Sequence, residues 1–343
     1  MVPVCKRKIR SGSFQLPTTT TENTSDMNPD RPLRSIMTVQ RKLSSDVHQG
    51  AKRTKSFNLA YSVYNPHLLQ SNHRPLLMVH GGPGIPSDYL KPIAKHIQNR
   101  SVILYDQIGC GDSSEPSDIE AYSLDLALDD LKKLILHVGI QTSGFHLLGH
   151  SFGGILAYEY LLHSMTKEEQ GSTDSNVLSL SLCSTPMEIS STTTDSEELL
   201  DSIQKERNLT EKEAQRLFHS SFICRSQNDM IPKALQVAYS KRGSVYTCDL
   251  VQDISLKKAP MNTFKSIPPI MLLRGEYDIC SPEQCFGLRR ILEERESTSI
   301  ACKTLENCSH YPMLENPSLF IESLDGFLLD IDDTDSNVSL PLQ

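Results

Sequence analysis

The sequence predicts an α/β fold in which a mostly parallel central sheet is flanked by helices and interrupted by an inserted helical segment. Short apolar runs at 75–80 (P-L-L-M-V-H) and 101–105 (S-V-I-L-Y) lead into glycine-containing turns, which is typical of buried parallel strands. Helical patterns alternate with such runs, except between 186 and 267, where only helical patterns occur. Because alternating strands and helices build parallel sheets, the exceptional segment is predicted to be a helical cap near the carboxyl edge of the sheet.

Each predicted element follows from its own pattern. The run F-N-L-A-Y-S-V-Y at 57–64 is strand-like, and Ser123 is a suitable N-cap for a helix that continues to about 137 with a broad leucine face. Further strands are predicted at 145–148, 177–183, 269–274 and 299–305, and further helices at 155–162, 197–207, 211–218, 282–295 and 317–330.

These elements define one α/β domain over 56–185 and 268–331, a helical cap over 186–267, and two polar tails. Residues 1–55 are basic, rich in Ser and Thr, and lack helical or strand periodicity, so they are predicted to be disordered. Their early Lys and Arg residues are also compatible with an organelle transit peptide. The acidic tail at 332–343 is predicted to fray.

Charge and hydropathy argue against two classes of partner. The net charge is −8, and residues 1–55 carry eleven Lys and Arg against four Asp and Glu, which leaves about −15 on the rest of the chain. A body this acidic is unsuited to binding nucleic-acid phosphates. No apolar run approaches the roughly 20 residues of a membrane span, so no membrane partner is expected.

The cysteines indicate the redox state that we expect for the protein. The nine cysteines form no C-x-x-C pair and have no zinc-type spacing with histidine. An odd number of cysteines, without an apolar signal segment, favours reduced thiols inside the cell. We therefore predict a cytoplasmic protein, with organelle targeting through the basic N-terminal segment as the alternative, and we expect no metal or cofactor.

A reactive serine is predicted between the strand at 145–148 and the helix at 155–162. Gly149-His150-Ser151-Phe152-Gly153 matches G-x-S-x-G, a sharp strand-to-helix turn that exposes a serine hydroxyl. The flanking positions are small because strand and helix pack closely there. The alternative is a glycine-tolerant helix start at which the serine is only a cap.

A serine hydroxyl needs a base, and the base needs an orienting carboxylate. In folds with this turn the order along the chain is serine, acid, histidine. Asp278 follows a late strand and His310 follows the last one, where parallel sheets collect their functional residues. Glu276 and Glu283 are the rival acids, and His150 is interpreted as buried support.

An acyl-transfer reaction also needs donors for the developing oxyanion. H-G-G-P-G at 80–84 follows an early strand, and glycine lets the backbone N–H approach a substrate oxygen. We predict that the amides of Gly82 and Phe152 form the oxyanion hole. The alternative for the glycine-rich segment is a tight turn without a catalytic role.

Five segments carry a family resemblance: H-G-G-P-G at 80–84, Y-D-Q-I-G-C-G-D-S at 105–113, G-H-S-F-G-G at 149–154, G-E-Y-D-I-C-S-P at 275–282 and C-S-H-Y-P-M at 308–313. Over about 56–330 the chain resembles the proline iminopeptidase branch of the α/β-hydrolases, and is most similar to the tricorn-interacting aminopeptidase type. The resemblance implies the α/β-hydrolase fold and release of an N-terminal residue, often proline, from short peptides.

The resemblance also implies that glutamates of the cap bind the free amine of the substrate. Glu213, in a segment similar to the family's E-A-x-x-x-F, is the candidate here, and a solvated helix face is the alternative for its setting. After Tyr246 the chain has no counterpart of the family's glycine-proline-asparagine-glutamate segment, and it contains no tryptophan.

The leading functional hypothesis is a serine hydrolase that releases N-terminal residues from short peptides or amino-acid amides through an acyl-enzyme. A general carboxylesterase or amidase shares the same catalytic residues and differs only in its pocket. A non-catalytic binding protein with the same fold is the third hypothesis. The oligomeric state is not predicted.

Overall fold

One sheet of eight strands organises the computed structural model, which describes residues 31–43, 53–168, 176–225, 230–247, 250–256, 267–292 and 299–338. The strands are β1 (Leu33–Leu43), β2 (Arg53–Tyr64), β3 (Leu76–Val79), β4 (Val102–Tyr105), β5 (Phe145–His150), β6 (Val177–Cys183), β7 (Ile270–Gly275) and β8 (Ile300–Leu305). Their order across the sheet is β1-β2-β4-β3-β5-β6-β7-β8. Strands β3 to β8 are parallel, whereas β1 pairs antiparallel with β2 and β2 with β4, which confirms the predicted mostly parallel sheet.

Helices cover both faces of the sheet. Outside the cap they are α1 (Lys91–His96), α2 (Leu124–Val138), α3 (Phe152–Glu168), α7 (Pro282–Leu292), α8 (Pro312–Glu315) and α9 (Pro317–Val338). One apolar core lies beneath α2, α3 and α7, and the other beneath α1 and α9. Every residue of β3, β4, β5 and β7 is buried because both faces are covered. No helix of the described residues combines the length and the apolarity that crossing a membrane requires.

Helix α2 shows how local sequence sets an element's limits. The Ser123 hydroxyl accepts a hydrogen bond from the Leu126 N–H at 3.2 Å, as expected of an N-cap. Gly139 has φ 79°, the left-handed conformation that ends helices and that glycine adopts without strain. The helix predicted from Ser123 to about 137 is therefore confirmed.

The predicted disorder of residues 1–55 is wrong for the part of that segment that the structure describes. Residues 33–43 form β1, which pairs with β2 over eleven residue pairs, and residues 53–55 belong to β2. Met37, Val39 and Leu43 of β1 are buried in the sheet. Residues 1–30 and 44–52 lie outside the described residues.

A buried charge explains why the strand pattern of β1 was missed. Its inward positions alternate through Met37, Val39, Arg41 and Leu43, so the period of two is interrupted by an arginine. Arg41 is 4% exposed, and its guanidinium pairs with the Asp130 carboxylate on α2. Burial raises the pKa of Asp130 to about 6, although Arg41 acts in the opposite direction.

The cap follows β6 and is helical in its described residues. It contains α4 (Ile189–Glu206), α5 (Glu211–Phe218), one π-helical turn (His219–Ile223) and α6 (Lys233–Ser240). Helix α4 begins eight residues before the predicted start at 197. Its first two turns are rich in Ser and Thr, which are weak helix formers, and for this reason the helical pattern was not recognised there. Three of these hydroxyls bond to backbone carbonyls four residues earlier, so the side chains find partners within the helix.

The prediction that the chain frays from residue 332 is also wrong. Helix α9 continues to Val338, and the Asp332 side chain is buried within the fold. Its carboxylate accepts hydrogen bonds from the Arg100 guanidinium at 2.9 Å and from His146 Nε2 at 3.1 Å. Asp332, which was predicted to begin the frayed acidic tail, is thus the hydrogen-bond partner of two buried side chains. Residues 339–343 lie outside the described residues.

Candidate active site

The predicted site residues follow β3, β5, β7 and β8, whose carboxyl ends meet at one edge of the sheet. At the end of β5, Ser151 has φ 53°, the strained left-handed conformation of a sharp strand-to-helix turn. Its N–H donates to the Cys183 carbonyl oxygen at 2.9 Å, which ties the turn to the end of β6. A β-carbon at Gly153 would collide with the Val79 and His80 carbonyl oxygens, so only glycine lets α3 approach β3 there.

The structure brings the predicted serine, histidine and aspartate together. His310 Nε2 lies 3.1 Å from Ser151 Oγ. His310 Nδ1 lies 2.8 Å from Asp278 Oδ1. Both distances are hydrogen-bond distances, and the ring uses a different nitrogen for each partner. A continuous path of hydrogen bonds therefore joins the serine hydroxyl to the carboxylate.

Asp278 is a buried acid with a fixed orientation. Its Oδ1 also accepts a hydrogen bond from the Cys280 N–H at 3.0 Å. Burial raises the pKa of this carboxyl, but the His310 ring and the hydrogen bonds to the carboxylate outweigh burial, and the net pKa lies below its usual value. Asp278 is therefore ionised at neutral pH.

The two rival acids are directed elsewhere. Glu276 is exposed, and its Oε2 accepts a hydrogen bond from the Asn307 N–H at 2.9 Å. Glu283 lies in the first turn of α7 and is also exposed. Neither carboxylate takes the place beside His310 that Asp278 occupies.

The loop that carries His310 is held from two sides. Glu315 accepts hydrogen bonds from the backbone N–H groups of Ser309 at 2.6 Å and Tyr311 at 3.0 Å. The His310 N–H itself donates to the carbonyl oxygen of Phe222 in the π-helical turn of the cap, at 3.3 Å. The cap is therefore in direct contact with the candidate base.

His150 is buried beside the serine, as predicted, and both of its ring nitrogens are bonded. Its Nε2 donates to the His310 carbonyl oxygen at 2.7 Å, so Nδ1 is the acceptor for the Tyr89 hydroxyl at 2.8 Å. The Tyr89 oxygen in turn accepts the Gly81 N–H at 2.7 Å. Burial lowers the pKa of His150 to about 3, and the ring is neutral at neutral pH.

Tyr89 and the residues around His80 were missed by sequence reasoning. His80 Nε2 accepts the Gln107 N–H at 2.9 Å, and the Gln107 amide donates to the His80 carbonyl oxygen at 2.8 Å. Asp106 accepts hydrogen bonds from the Ser87 N–H and hydroxyl at 2.9 and 2.7 Å. The Y-D-Q segment at 105–107, which belongs to one of the family-like motifs, could have indicated the hydrogen bonds made by Asp106 and Gln107. The segment P-S-D-Y-L at 86–90 contains no pattern that predicts a role for Tyr89.

The candidate oxyanion segment lies against the serine. A β-carbon at Gly81 would be 2.9 Å from Ser151 Cβ, and Gly82 has φ 117°, which favours glycine. Phe152 is buried at the start of α3, where backbone N–H groups have no partner within the helix. The roles of Gly82 and Phe152 as donors stay predictions.

Glu213 takes the alternative role considered for it, at the exposed face of a cap helix. Its Oε2 accepts hydrogen bonds from the Thr210 N–H at 2.9 Å and the Thr210 hydroxyl at 2.6 Å, which closes a capping box at the start of α5. These hydrogen bonds hold the pKa of the exposed Glu213 carboxyl below its usual value. The sequence T-E-K-E is a capping pattern, which accounts for the position of this carboxylate without a substrate. Binding of the substrate's amine by Glu213 stays a prediction.

The mostly parallel sheet, the serine at its sharp turn and the bonded histidine and aspartate define an α/β protein of the hydrolase class. A family model described as the alpha/beta hydrolase fold matches residues 74–317, and the chain belongs to this family.

Similarity to individual proteins points to one branch of the family. Proline iminopeptidase of Saccharolobus solfataricus is 40% identical over 121 residues, but this match spans only 35% of the chain and 37% of that protein. Proline iminopeptidase of Chitinophaga pinensis is 23% identical over 303 residues, spanning 81% of the chain and 97% of that protein. These relatives agree with the resemblance found in the sequence motifs.

Solved structures give the same fold. The crystal structure of proline iminopeptidase from Mycobacterium smegmatis has a TM-score of 0.67 at 19% identity, and the match covers 87% of the chain and all of that protein. A thermophilic esterase from Thermogutta terrifontis has a TM-score of 0.57 at 18% identity, over 86% of the chain and 99% of that protein. At these identities the likeness concerns the fold alone.

Proposed function

We propose that the chain is a serine hydrolase that releases N-terminal residues from short peptides or amino-acid amides. The observation that carries the proposal is the hydrogen-bonded path from Ser151 Oγ through His310 to Asp278, with distances of 3.1 and 2.8 Å. The similarity to proline iminopeptidases supports the substrate class.

In the proposed reaction Ser151 Oγ attacks the scissile carbonyl carbon while His310 Nε2 accepts the hydroxyl proton. The ionised Asp278 keeps the Nδ1 proton in place and stabilises the imidazolium that forms. The amides of Gly82 and Phe152 are the proposed donors to the oxyanion. His310 then protonates the leaving amine, and a water molecule, activated by the same ring, hydrolyses the acyl-enzyme. Apart from this water molecule, the protein's own residues supply the groups that act in the scheme.

A general carboxylesterase or amidase is the second candidate function. The observation that favours it is the exposed capping role of Glu213, because this residue was the only assigned partner for a substrate's free amine. Both candidates use the same serine, histidine and aspartate. They differ in whether a free amine is needed for turnover.

Three substrates separate the candidates: proline amide, N-acetyl-proline amide and a neutral aryl ester. The peptidase proposal predicts that kcat/KM for proline amide exceeds that for its acetylated form by at least about tenfold, because one charge-assisted hydrogen bond contributes about 1.5–3 kcal/mol. Equal values on the two amides would contradict the peptidase proposal and leave the esterase or amidase. No turnover of any of the three would leave the non-catalytic alternative.

A further inference from the structure

One buried cluster beside the candidate active site has the chemistry of a metal site. Asp278, Cys280 and His310 offer a carboxylate oxygen, a sulfur and a ring nitrogen that all lie within 4.8 Å of one another. Each of the three residues is at most 7% exposed. No local sequence pattern indicates this cluster, because Cys280 and His310 are thirty residues apart and the loops after β7 and β8 bring them together.

We propose that Asp278, Cys280 and His310 form an inhibitory binding site for a borderline-soft divalent cation such as Zn²⁺. Thiolate, imidazole and carboxylate are the three ligand types that zinc takes in proteins, whereas Mg²⁺ and Ca²⁺ prefer oxygen alone. Three protein ligands with one open position match the pattern of zinc sites that also bind water.

The geometry needs little rearrangement. Zinc bonds of about 2.0–2.3 Å place two ligands of a tetrahedral ion roughly 3.3–3.8 Å apart. The three atoms, within 4.8 Å of one another, need to move by at most about 1 Å to meet that spacing. Asp278 Oδ1 and His310 Nδ1 are 2.8 Å apart and would separate by about 0.5 Å to hold the ion between them.

Charge also favours the complex. Zn²⁺ with one carboxylate, one thiolate and one neutral imidazole has no net charge, which limits the cost of burying the ion. The Cys280 thiol donates to the Ser184 carbonyl oxygen at 3.6 Å in the metal-free protein. On binding, the thiol proton passes to solvent, and sulfur exchanges this weak hydrogen bond for a bond to the metal.

Binding would stop catalysis by changing the histidine tautomer. His310 Nδ1 faces Asp278, so the metal takes the Nδ1 lone pair and the ring proton moves to Nε2. A protonated Nε2 cannot accept the Ser151 proton, and the hydroxyl stays unactivated. This consequence rests on the proposed function, whereas metal binding itself does not.

Cys285 provides a matched control. It is a buried thiol on α7, close to Cys280 in the preceding loop, and it does not belong to the three-atom cluster. Its sulfur donates to the Cys280 carbonyl oxygen at 3.7 Å. Replacing either cysteine by serine removes one buried sulfur from the same region. Only Cys280→Ser removes a proposed ligand.

The test uses the reduced, chelator-treated full-length protein and Zn²⁺ or Co²⁺ as the probe. Equilibrium dialysis should find one site per chain, with affinity at least about 100-fold weaker in Cys280→Ser, since even outer partners of metal ligands are worth 10–100-fold. Cys285→Ser should keep wild-type affinity, and bound Co²⁺ should show a thiolate charge-transfer band that only Cys280→Ser loses.

Activity is a separate readout. Zn²⁺ should reversibly abolish aryl-ester hydrolysis in the wild type and in Cys285→Ser, with each protein normalised to its own metal-free rate. Equal Zn²⁺ affinity in wild type and Cys280→Ser would overturn the proposed site, as would loss of binding in Cys285→Ser. A protein that binds Zn²⁺ through Cys280 but hydrolyses nothing would keep the site and contradict the proposed function instead.

Discussion

His150 Nε2 donates a hydrogen bond to the backbone carbonyl oxygen of His310 at 2.7 Å, so the residue before the candidate nucleophile anchors the loop of the candidate base. The other side of the His150 ring accepts the Tyr89 hydroxyl, which accepts the Gly81 N–H. Two buried side chains thus connect the loops after β3, β5 and β8. The relative positions of the candidate oxyanion donor, nucleophile and base depend on this connection.

Tyr89→Phe tests the connection. Loss of the hydroxyl leaves the Gly81 N–H and His150 Nδ1 without their partner, and misplaced catalytic groups reduce the rate without removing any of them. We expect kcat to fall by about 10- to 100-fold, with KM nearly unchanged. Tyr61→Phe is the control, because its hydroxyl bonds at 3.1 Å to His137 in the last turn of α2 and the change removes one hydroxyl from a buried tyrosine in the same way. Equal kcat values in Tyr89→Phe and Tyr61→Phe would refute the positioning role.

Glu213→Gln tests whether this carboxylate binds the substrate's amine or only caps a helix. Because the exposed carboxylate caps α5, we expect the ratio of kcat/KM for proline amide and N-acetyl-proline amide to be unchanged in the variant. Glu211→Gln, in the same helical turn with its carboxylate bonded to Gln215, is the matched control. A selective rise in KM for the free amide in Glu213→Gln alone would restore the amine-binding role.

Deleting residues 1–43 tests whether β1 belongs to the domain. The deletion removes Met37, Val39 and Leu43 from the core, and burial of such side chains contributes about 1.5–3 kcal/mol each, less what a compact unfolded chain retains. It also leaves Asp130 buried without Arg41. We expect the free energy of unfolding to drop by at least about 3 kcal/mol in urea titrations. A protein that lacks only residues 1–30 keeps β1 and is the control. Equal stability of the two deletion proteins would mean that β1 contributes nothing.

Stability should fall in mild acid because buried histidines resist protonation. Burial lowers the pKa of His146, whose Nε2 bonds to Asp332 and whose Nδ1 bonds to the Ser179 hydroxyl. Below the unfolded-state histidine pKa of about 6.5, His146 binds a proton in the unfolded chain but stays neutral in the folded chain. The free energy of unfolding therefore decreases as the pH falls. Between pH 7.5 and 5.5 His146→Gln should lose less stability than the wild type, by up to about 1.4 kcal/mol. Parallel urea titrations at both pH values measure this difference, and identical losses would contradict it.

The sequence predicted which side chains lie together at the candidate site because parallel strands end at one edge of the sheet, so motifs that follow strands must meet there. Ser151, Asp278 and His310 each followed an apolar run, and their order along the chain left few alternatives. Tyr89 was not predictable, because its role depends on a distance across the fold and not on any local pattern.

Charged residues at buried positions caused the other differences. Arg41 interrupts the alternation of apolar and polar residues in β1, and Asp332 gives the end of α9 the acidic composition of an exposed segment. Both side chains are buried against a partner of opposite charge. Glu213 is an exposed charged residue for which the sequence supports two roles. Its position in a family-like segment suggests a contact with the substrate, whereas the nearby Thr210 indicates a capping box at the start of α5.

Labelling with a fluorophosphonate, followed by peptide mapping, tests the central claim most directly. We predict a single adduct on Ser151 in the wild type, because the hydroxyl bonded to His310 Nε2 is the activated nucleophile. The labelling rate should fall by roughly three orders of magnitude or more in His310→Ala and Asp278→Asn, and Glu276→Gln should react like the wild type. No adduct on the wild-type protein, or an adduct that persists in Ser151→Ala, would contradict the account.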